Sequence, residues 1–234
     1  MKKIISIILI FIAVLTLTAC KKESSNKDAL KFKEEYESLN GEKNKRGKEY
    51  RKLDIDDSNP YVKVAAEEIV KMIDNKETFY LYVGDSMCPW CRSVLEKSIE
   101  VARDNDIEKI YYIEIWDDEG NEILRDKYEL TDGEINKVSN GTKAYKTLLS
   151  KFDKVLSNYT LKDDDDNEIE VGEKRIYAPN YFYVEKGKVK KMIEGISNSQ
   201  TDPYEELTDE ILEDEEELFQ DFFKSNSTCK VGGC

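Results

Sequence analysis

The chain contains no histidine. That single absence removes Ser-His-Asp hydrolysis, Cys-His proteolysis and histidine-ligated metal centres together. Positive charge is also short. Thirty-six lysines and arginines stand against 50 aspartates and glutamates, for a formal net charge of −14. A surface of that sign excludes nucleic acid as a partner and excludes electrostatic docking on an anionic membrane. The acidic run Asp163 to Asp166 invites calcium, because hard cations take oxygen ligands. It lacks the glycine and the distal glutamate of an EF-hand loop, so it reads as a solvated surface loop. No metal and no organic cofactor is expected.

Cysteine is sparse, with five positions: Cys20, Cys88, Cys91, Cys229 and Cys234. The stretch Cys88-Pro89-Trp90-Cys91 is the most informative. Before it, Thr78-Phe79-Tyr80-Leu81-Tyr82-Val83 reads as a buried strand. After it, Val94, Leu95, Ile99 and Ala102 recur at helical spacing. A CxxC at a strand-to-helix turn is the setting in which such a pair is redox-active. The first sulfur falls at the helix N-terminus, where free N–H groups and the macrodipole favour a thiolate. Cys88 is therefore the expected nucleophile, and Cys91, one turn further in, the residue that resolves a mixed disulfide. Pro89 and Trp90 line the approach and add neither His nor Lys, which suggests an intermediate potential. The other readings of this pair are an inert disulfide and half of a metal site.

Only one stretch is long and apolar. It runs from Ile4 to Leu17 behind Lys2 and Lys3 and reads as a signal peptide over residues 1–19. Its end, Leu17-Thr18-Ala19-Cys20, resembles the lipobox of bacterial lipoproteins. The resemblance implies cleavage before Cys20 and lipidation of Cys20, so the membrane would be engaged through that lipid. A plain secretory signal or a short membrane span are the alternatives. Cleavage leaves 215 residues with a net charge of −16. Outside the reducing cytosol, paired cysteines persist as disulfides.

Residues 20–58 are rich in Lys, Glu, Ser and Asn and read as a charged, solvated tether with a short helix around Ala29 to Leu39. The main domain is expected over residues 59–224. Within it, Tyr61 to Ile73 reads as an amphipathic helix. Lys109 to Trp116 reads as a second strand, parallel to the first through a right-handed βαβ crossover. Residues 117–172 form an insert expected to be helical at Asn121 to Tyr128 and at Thr142 to Asn158. Tyr181 to Val184 and Val189 to Ile193 read as a hairpin, and Pro203 to Phe223 as an acidic closing helix.

This order, with CPWC and the step Ala178-Pro179 as anchors, resembles the thioredoxin fold: α/β, a central mixed sheet flanked by helices, with a helical insert before the proline-led strand. The resemblance implies that Ala178-Pro179 is a cis bond facing Cys88 and that Ala178 and Pro179, with Pro89 and Trp90, contact substrate. The segment Phe79 to Arg92 is similar to that of thioredoxin-like extracytoplasmic lipoproteins of Gram-positive bacteria, among them the bacteriocin transport accessory proteins. Two departures bear on chemistry. Typical thioredoxins hold a buried carboxylate on the strand below the motif, and Tyr80 to Val83 offer none. Met87 replaces the usual tryptophan. Asp85 reads as a solvated loop acid.

Cys229 and Cys234, in a tail over residues 225–234, are expected to close a local disulfide. A second redox pair that exchanges with Cys88, and a four-thiolate metal site shared with the CxxC, are the alternatives. The function these features imply is a membrane-anchored extracytoplasmic thiol–disulfide oxidoreductase. Its partners would be exported proteins with thiols or disulfides and a protein that restores its redox state. The rival is a non-catalytic accessory or binding lipoprotein of an export or envelope complex, on the same fold.

Overall fold

A run such as Phe79 to Val83 carries a large side chain at every position and stays extended only when both its faces are covered. The computed structural model, which describes residues 27–117 and 119–224, covers both. Along the chain come α1 (27–37), β1 (Tyr61–Lys63), α2 (Ala66–Asp74), β2 (Phe79–Gly84), α3 (Pro89–Asp104), β3 (Ile110–Glu114), β4 (Lys127–Thr131) and β5 (Glu134–Ser139). Then follow α4 (Lys143–Phe152), β6 (Ser157–Lys162), β7 (Glu168–Arg175), β8 (Asn180–Glu185), β9 (Lys188–Ile193) and α5 (Asp209–Lys224). Among the described residues no helix is long and apolar enough to cross a membrane.

Five strands form one mixed sheet in the order β1-β3-β2-β8-β9. β3 runs parallel to both β1 and β2, so β2, α3 and β3 are the βαβ unit expected from the sequence. β8 runs antiparallel to β2, and β9 antiparallel to β8. The β8–β9 turn is two residues long, with φ of 50° at Lys186 and 70° at Gly187. Two successive positive φ values match the twist of a tight hairpin. Gly187 is required there twice over, because a Cβ would fall 2.2 Å from the Ile73 carbonyl oxygen.

Successive side chains of a strand point to opposite faces, and here the two faces differ in kind. Tyr61, Tyr82, Tyr112, Tyr181 and Tyr183 project to the side covered by α1, α3 and α5. Phe79, Leu81, Val83, Ile113, Phe182 and Val184 project to the side covered by α2 and α4. Burying each such apolar side chain contributes about 1.5–3 kcal/mol.

Four expectations are corrected. First, residues 27–58 are not a solvated tether. Phe32, Tyr36, Leu53 and Ile55 are buried in the tyrosine-lined core, so the domain reaches back at least to residue 27. The cause is an aromatic pair one helical turn apart within an otherwise charged α1, Phe32 stacking on Tyr61 at a ring distance of 4.3 Å and Tyr36 meeting the Tyr82 hydroxyl. Secondly, the helix expected at Tyr61 starts only at Ala66. Tyr61 to Lys63 pair with Ile110 to Tyr112 as an edge strand instead. The Asn59 side chain organises this entry, accepting from the Tyr61 N–H at 3.1 Å and donating to the Ala29 carbonyl at 2.9 Å.

Thirdly, the insert is not mainly helical. It holds two antiparallel hairpins, β4–β5 and β6–β7, around α4 and a short 3-10 turn at Asp153–Val155. Lys127 to Thr131 alternate polar and apolar residues, a period of two that suits a strand, and Glu134 to Ser139 pair back on them. Fourthly, the closing helix begins at Asp209, where Thr208 Oγ1 accepts from the Ile211 N–H at 3.3 Å. The residues before it form a turn held by the Arg51 guanidinium, which donates to the Pro203 and Glu205 carbonyls. The leader, Cys20, and the pair Cys229 and Cys234 lie outside the described residues.

Candidate active site

α3 starts where β2 ends, at the middle of the sheet. Cys88 is its N-cap, with extended backbone, and Pro89 occupies the first helical position, where its missing N–H costs nothing. The Cys91 N–H donates to Cys88 Sγ at 3.2 Å. The first turn of α3 carries no acidic residue, so nothing there opposes the positive end of the helix. On its other side the Cys88 thiol donates to the Ala178 carbonyl oxygen at 3.5 Å. The bond from Ala178 to Pro179 is cis. Residues 90 positions apart in sequence thus meet at one sulfur, as the sequence led us to expect.

Both cysteines are free thiols. Cys88 is 4% exposed and Cys91 is fully buried, so the first cysteine is the more accessible of the two. Met87, Pro89, Trp90 and Ala178 are half-buried around it, whereas Pro179 itself is buried. Burial pushes the Cys91 thiol well above its ordinary range, and the adjacent Cys88 sulfur adds to the shift. The neighbouring Tyr82 hydroxyl and Asp85 backbone act in the opposite direction.

Asp85 corrects a further expectation. It is not a solvated loop acid but 1% exposed. One carboxylate oxygen accepts from the Met87 N–H and the other from the Trp116 N–H, each at 2.9 Å. The side chain thereby ties the turn before Cys88 to the end of β3. Burial pushes its pKa up to about 7, against the pull of those two N–H groups. The nearest residue to the motif that can lose a proton near neutrality is thus a buried carboxyl after all, on the turn rather than on the strand.

Arg92, directly behind the motif, is fully buried. It donates to the Tyr36 carbonyl at 2.8 Å, the Ser86 carbonyl at 3.1 Å, the Arg51 carbonyl at 2.9 Å and the Asn40 side-chain oxygen at 2.9 Å. Four partners come from three separate stretches of chain, so one guanidinium fixes α3, the turn at Ser86 and the N-terminal segment together. Its five donors suit this fork of acceptors, which a lysine could not match.

Sequence reasoning picked out Cys88, Cys91, Pro89, Trp90, Ala178 and Pro179, and all six are adjacent here. It overlooked Asp85, Tyr82, Tyr36 and the bridging role of Arg92. A signal for Asp85 existed: it is the only acid within three residues of the CxxC. Among the described residues no group of three or more potential metal-ligating side chains comes together. No protein-family model and no curated protein sequence matches the chain.

Proposed function

We propose that this protein is a thiol–disulfide oxidoreductase of thioredoxin-like fold, acting through Cys88 and Cys91. Support for the fold lies in the strand order β1-β3-β2-β8-β9, with antiparallel pairing confined to β8 and β9 and helices on both faces. The observation that carries the chemistry is the geometry of one sulfur. Cys88 Sγ caps a helix, accepts the Cys91 N–H, and lies against the carbonyl that precedes Pro179.

The exchange proceeds in two displacements. The Cys88 thiolate attacks one sulfur of a substrate disulfide; the S–S bond breaks and its electron pair leaves on the other substrate sulfur. Cys91 then attacks Cys88 Sγ, forming the internal disulfide and releasing the second substrate thiolate. Two electrons pass from the cysteine pair to the substrate. The reverse sequence hands the disulfide to a substrate dithiol. A redox partner protein restores the starting state by the same chemistry. Substrates are exported proteins with thiols or disulfides, met at the outer face of the cell membrane by a chain anchored through lipid on Cys20. An extended segment of a partner chain would approach Cys88 past Trp90 and Ala178, which are half-buried beside it.

The near-complete burial of Cys88 favours one rival, a non-catalytic accessory lipoprotein on the same scaffold. Insulin reduction, and oxidation of a reduced peptide, separate the two when measured for the wild type and for Cys88→Ser. The wild type should turn over, with loss of at least about 100-fold in the variant, because no other thiol occupies the helix cap. Equal, near-zero rates in both would leave the scaffold alone. The reduction potential of the Cys88–Cys91 couple then fixes the direction of electron flow.

A further inference from the structure

Basic residues are outnumbered in this chain, and Lys33, Lys63 and Lys151 each lie 2.8 Å from an acid. Residues 43–48 behave otherwise. Lys43, Lys45, Arg46 and Lys48 fill four of those six positions, and all four are exposed. Among the described residues none of the four forms an ion pair, and Glu49, at the foot of the segment, pairs instead with Lys52 at 3.9 Å. The segment is a fixed turn. Lys43 bridges Glu49 in antiparallel fashion, and the Asn44 N–H donates to the Lys48 carbonyl at 2.9 Å. The Asn44 side-chain oxygen accepts from the Arg46 and Lys48 N–H groups at 2.9 and 3.1 Å, and its Nδ2 donates to the Tyr204 hydroxyl at 2.6 Å.

Two sets of contacts place this basic turn beside the thiols. At its tip, Lys45 Nζ donates to the Glu119 carbonyl at 3.3 Å. A Cβ on Gly120 would fall 3.4 Å from Lys45 Nζ and 3.9 Å from Met87 Cε, so the ammonium and the Met87 side chain border one small volume. Met87 directly precedes Cys88. At its foot, the Tyr50 ring lies 5.6 Å from the Arg92 guanidinium, and the Arg51 carbonyl accepts from Arg92 Nε at 2.9 Å. Arg92 directly follows Cys91. The nearby carboxylates of Asp117 and Glu119 accept from Asn121 and leave the basic groups uncompensated.

We propose that the turn at residues 43–48 is a recognition surface for acidic polypeptide, so that the preferred substrates carry a disulfide flanked by Asp or Glu. This deepens the thiol–disulfide reading above and rests on it. The step served is the first displacement, in which Cys88 Sγ bonds to one substrate sulfur and the other leaves with the electron pair. Charge complementarity at the rim acts on the rate of encounter more than on the chemistry. Range decides which charges a substrate meets. At about 0.15 M salt the screening length is about 8 Å, so the turn beside Cys88 is felt while most of the net charge of −14 is not. A protein that is acidic overall should therefore favour acidic partners at this one place.

The test uses the reduced full chain in detergent with Cys20, Cys229 and Cys234 each changed to Ser, so that only the CxxC pair reacts. Its substrates are a disulfide-looped peptide with glutamates on both sides of the cysteines, the same peptide with lysines there, and neutral hydroxyethyl disulfide. Each rate is divided by that of mercaptoethanol with the same compound, which removes differences in intrinsic reactivity. At 0.15 M salt the glutamate peptide should react about fivefold faster than the lysine peptide, and the two should converge within about twofold at 1 M. Changing Lys43, Lys45, Arg46 and Lys48 together to Gln should abolish or reverse the preference and leave hydroxyethyl disulfide unaffected. Asn44 and Gly47, which shape the turn, are kept. If that variant does not fold, Arg46→Glu alone should lower the ratio about twofold.

A lysine peptide as fast as the glutamate peptide, or a preference that survives in the folded fourfold variant, would overturn the proposal. So would a fourfold variant altered only in its binding to phosphatidylglycerol vesicles, which would give the turn to the membrane. A parent chain no faster than Cys88→Ser with all three disulfides would instead sink the oxidoreductase itself.

Discussion

The two faces of the central sheet are built by the same strands and differ in one kind of atom. The strand side chains under α2 and α4, Phe79, Leu81, Val83, Phe182 and Val184, carry no polar atom to satisfy. The side under α1, α3 and α5 is closed by tyrosines, and each buried hydroxyl has to find a partner. Tyr61 and Tyr181 share Ser98 of α3 at 2.7 and 3.2 Å, Tyr112 donates to Glu35 of α1 at 2.8 Å, and Tyr82 meets Tyr36. Every one of those partners lies on α1, α3 or a neighbouring strand. Hydrocarbon strand side chains need only volume, whereas the strand hydroxyls need particular neighbours, and one of those neighbours, α3, carries the thiols. That is why a charged N-terminal helix became part of the domain.

The contrast can be broken in order of expected effect. Phe182→Ala, which opens a cavity where Phe152 stacks at 4.7 Å, should cost about 4 kcal/mol in urea unfolding. Because the cavity lies on the face away from the thiols, the rate at which Cys88 reacts should stay near that of the wild type. Arg92→Ala should cost about 3 kcal/mol, because it strips donors from the Tyr36, Ser86 and Arg51 carbonyls. Unlike Phe182→Ala, it should also make the amide protons of α1 exchange faster than those of α2. Equal protection of both helices would mean that the N-terminal segment is held by its aromatic rings alone.

Glu215, on the inner side of α5, sharpens the comparison through pH. Its carboxylate is buried with no hydrogen-bond partner, and desolvation pushes its pKa up to about 8, in spite of Arg51 and Lys97. Unfolded, it titrates near its ordinary 4.5. Between those values the folded state holds the extra proton, so stability falls as pH rises through that window. Glu215→Gln should remove the fall and gain about 1–2 kcal/mol at pH 8, with little change near pH 4. A parallel pH dependence in both proteins would refute this. The smallest effect belongs to Tyr181→Phe, about 1 kcal/mol, since Ser98 keeps Tyr61 as a partner.

The strands β2 and β8 were legible because their apolar runs are uninterrupted, β9 because it follows β8 across a two-residue turn, and the helix after Cys88 because Val94, Leu95, Ile99 and Ala102 recur at helical spacing. The meeting of Cys88 with Ala178 came from resemblance to a fold, since no local pattern links residues 90 positions apart. What stayed hidden was hidden for physical reasons. Phe32 and Tyr36 sit among lysines and glutamates, so average composition outweighed one buried stripe. Tyr61 to Lys63 form an edge strand only three residues long, too short for a period of two to show against the helix that follows. In the insert, Lys127 to Thr131 alternate as a strand does, but the side chains of β4 and β5 are mostly exposed, so no apolar run marked them. Asp85 was misread because burial of a loop acid depends on Trp116 arriving from another strand.

The sheet ends on one side with β9, whose Lys188, Lys190 and Lys191 fringe its outermost backbone, and on the other with the three residues of β1. A border that is either lysine-studded or very brief offers little template for a neighbouring molecule to extend the ladder. Many copies crowded together would then stay separate, each sheet ending where its own chain ends it.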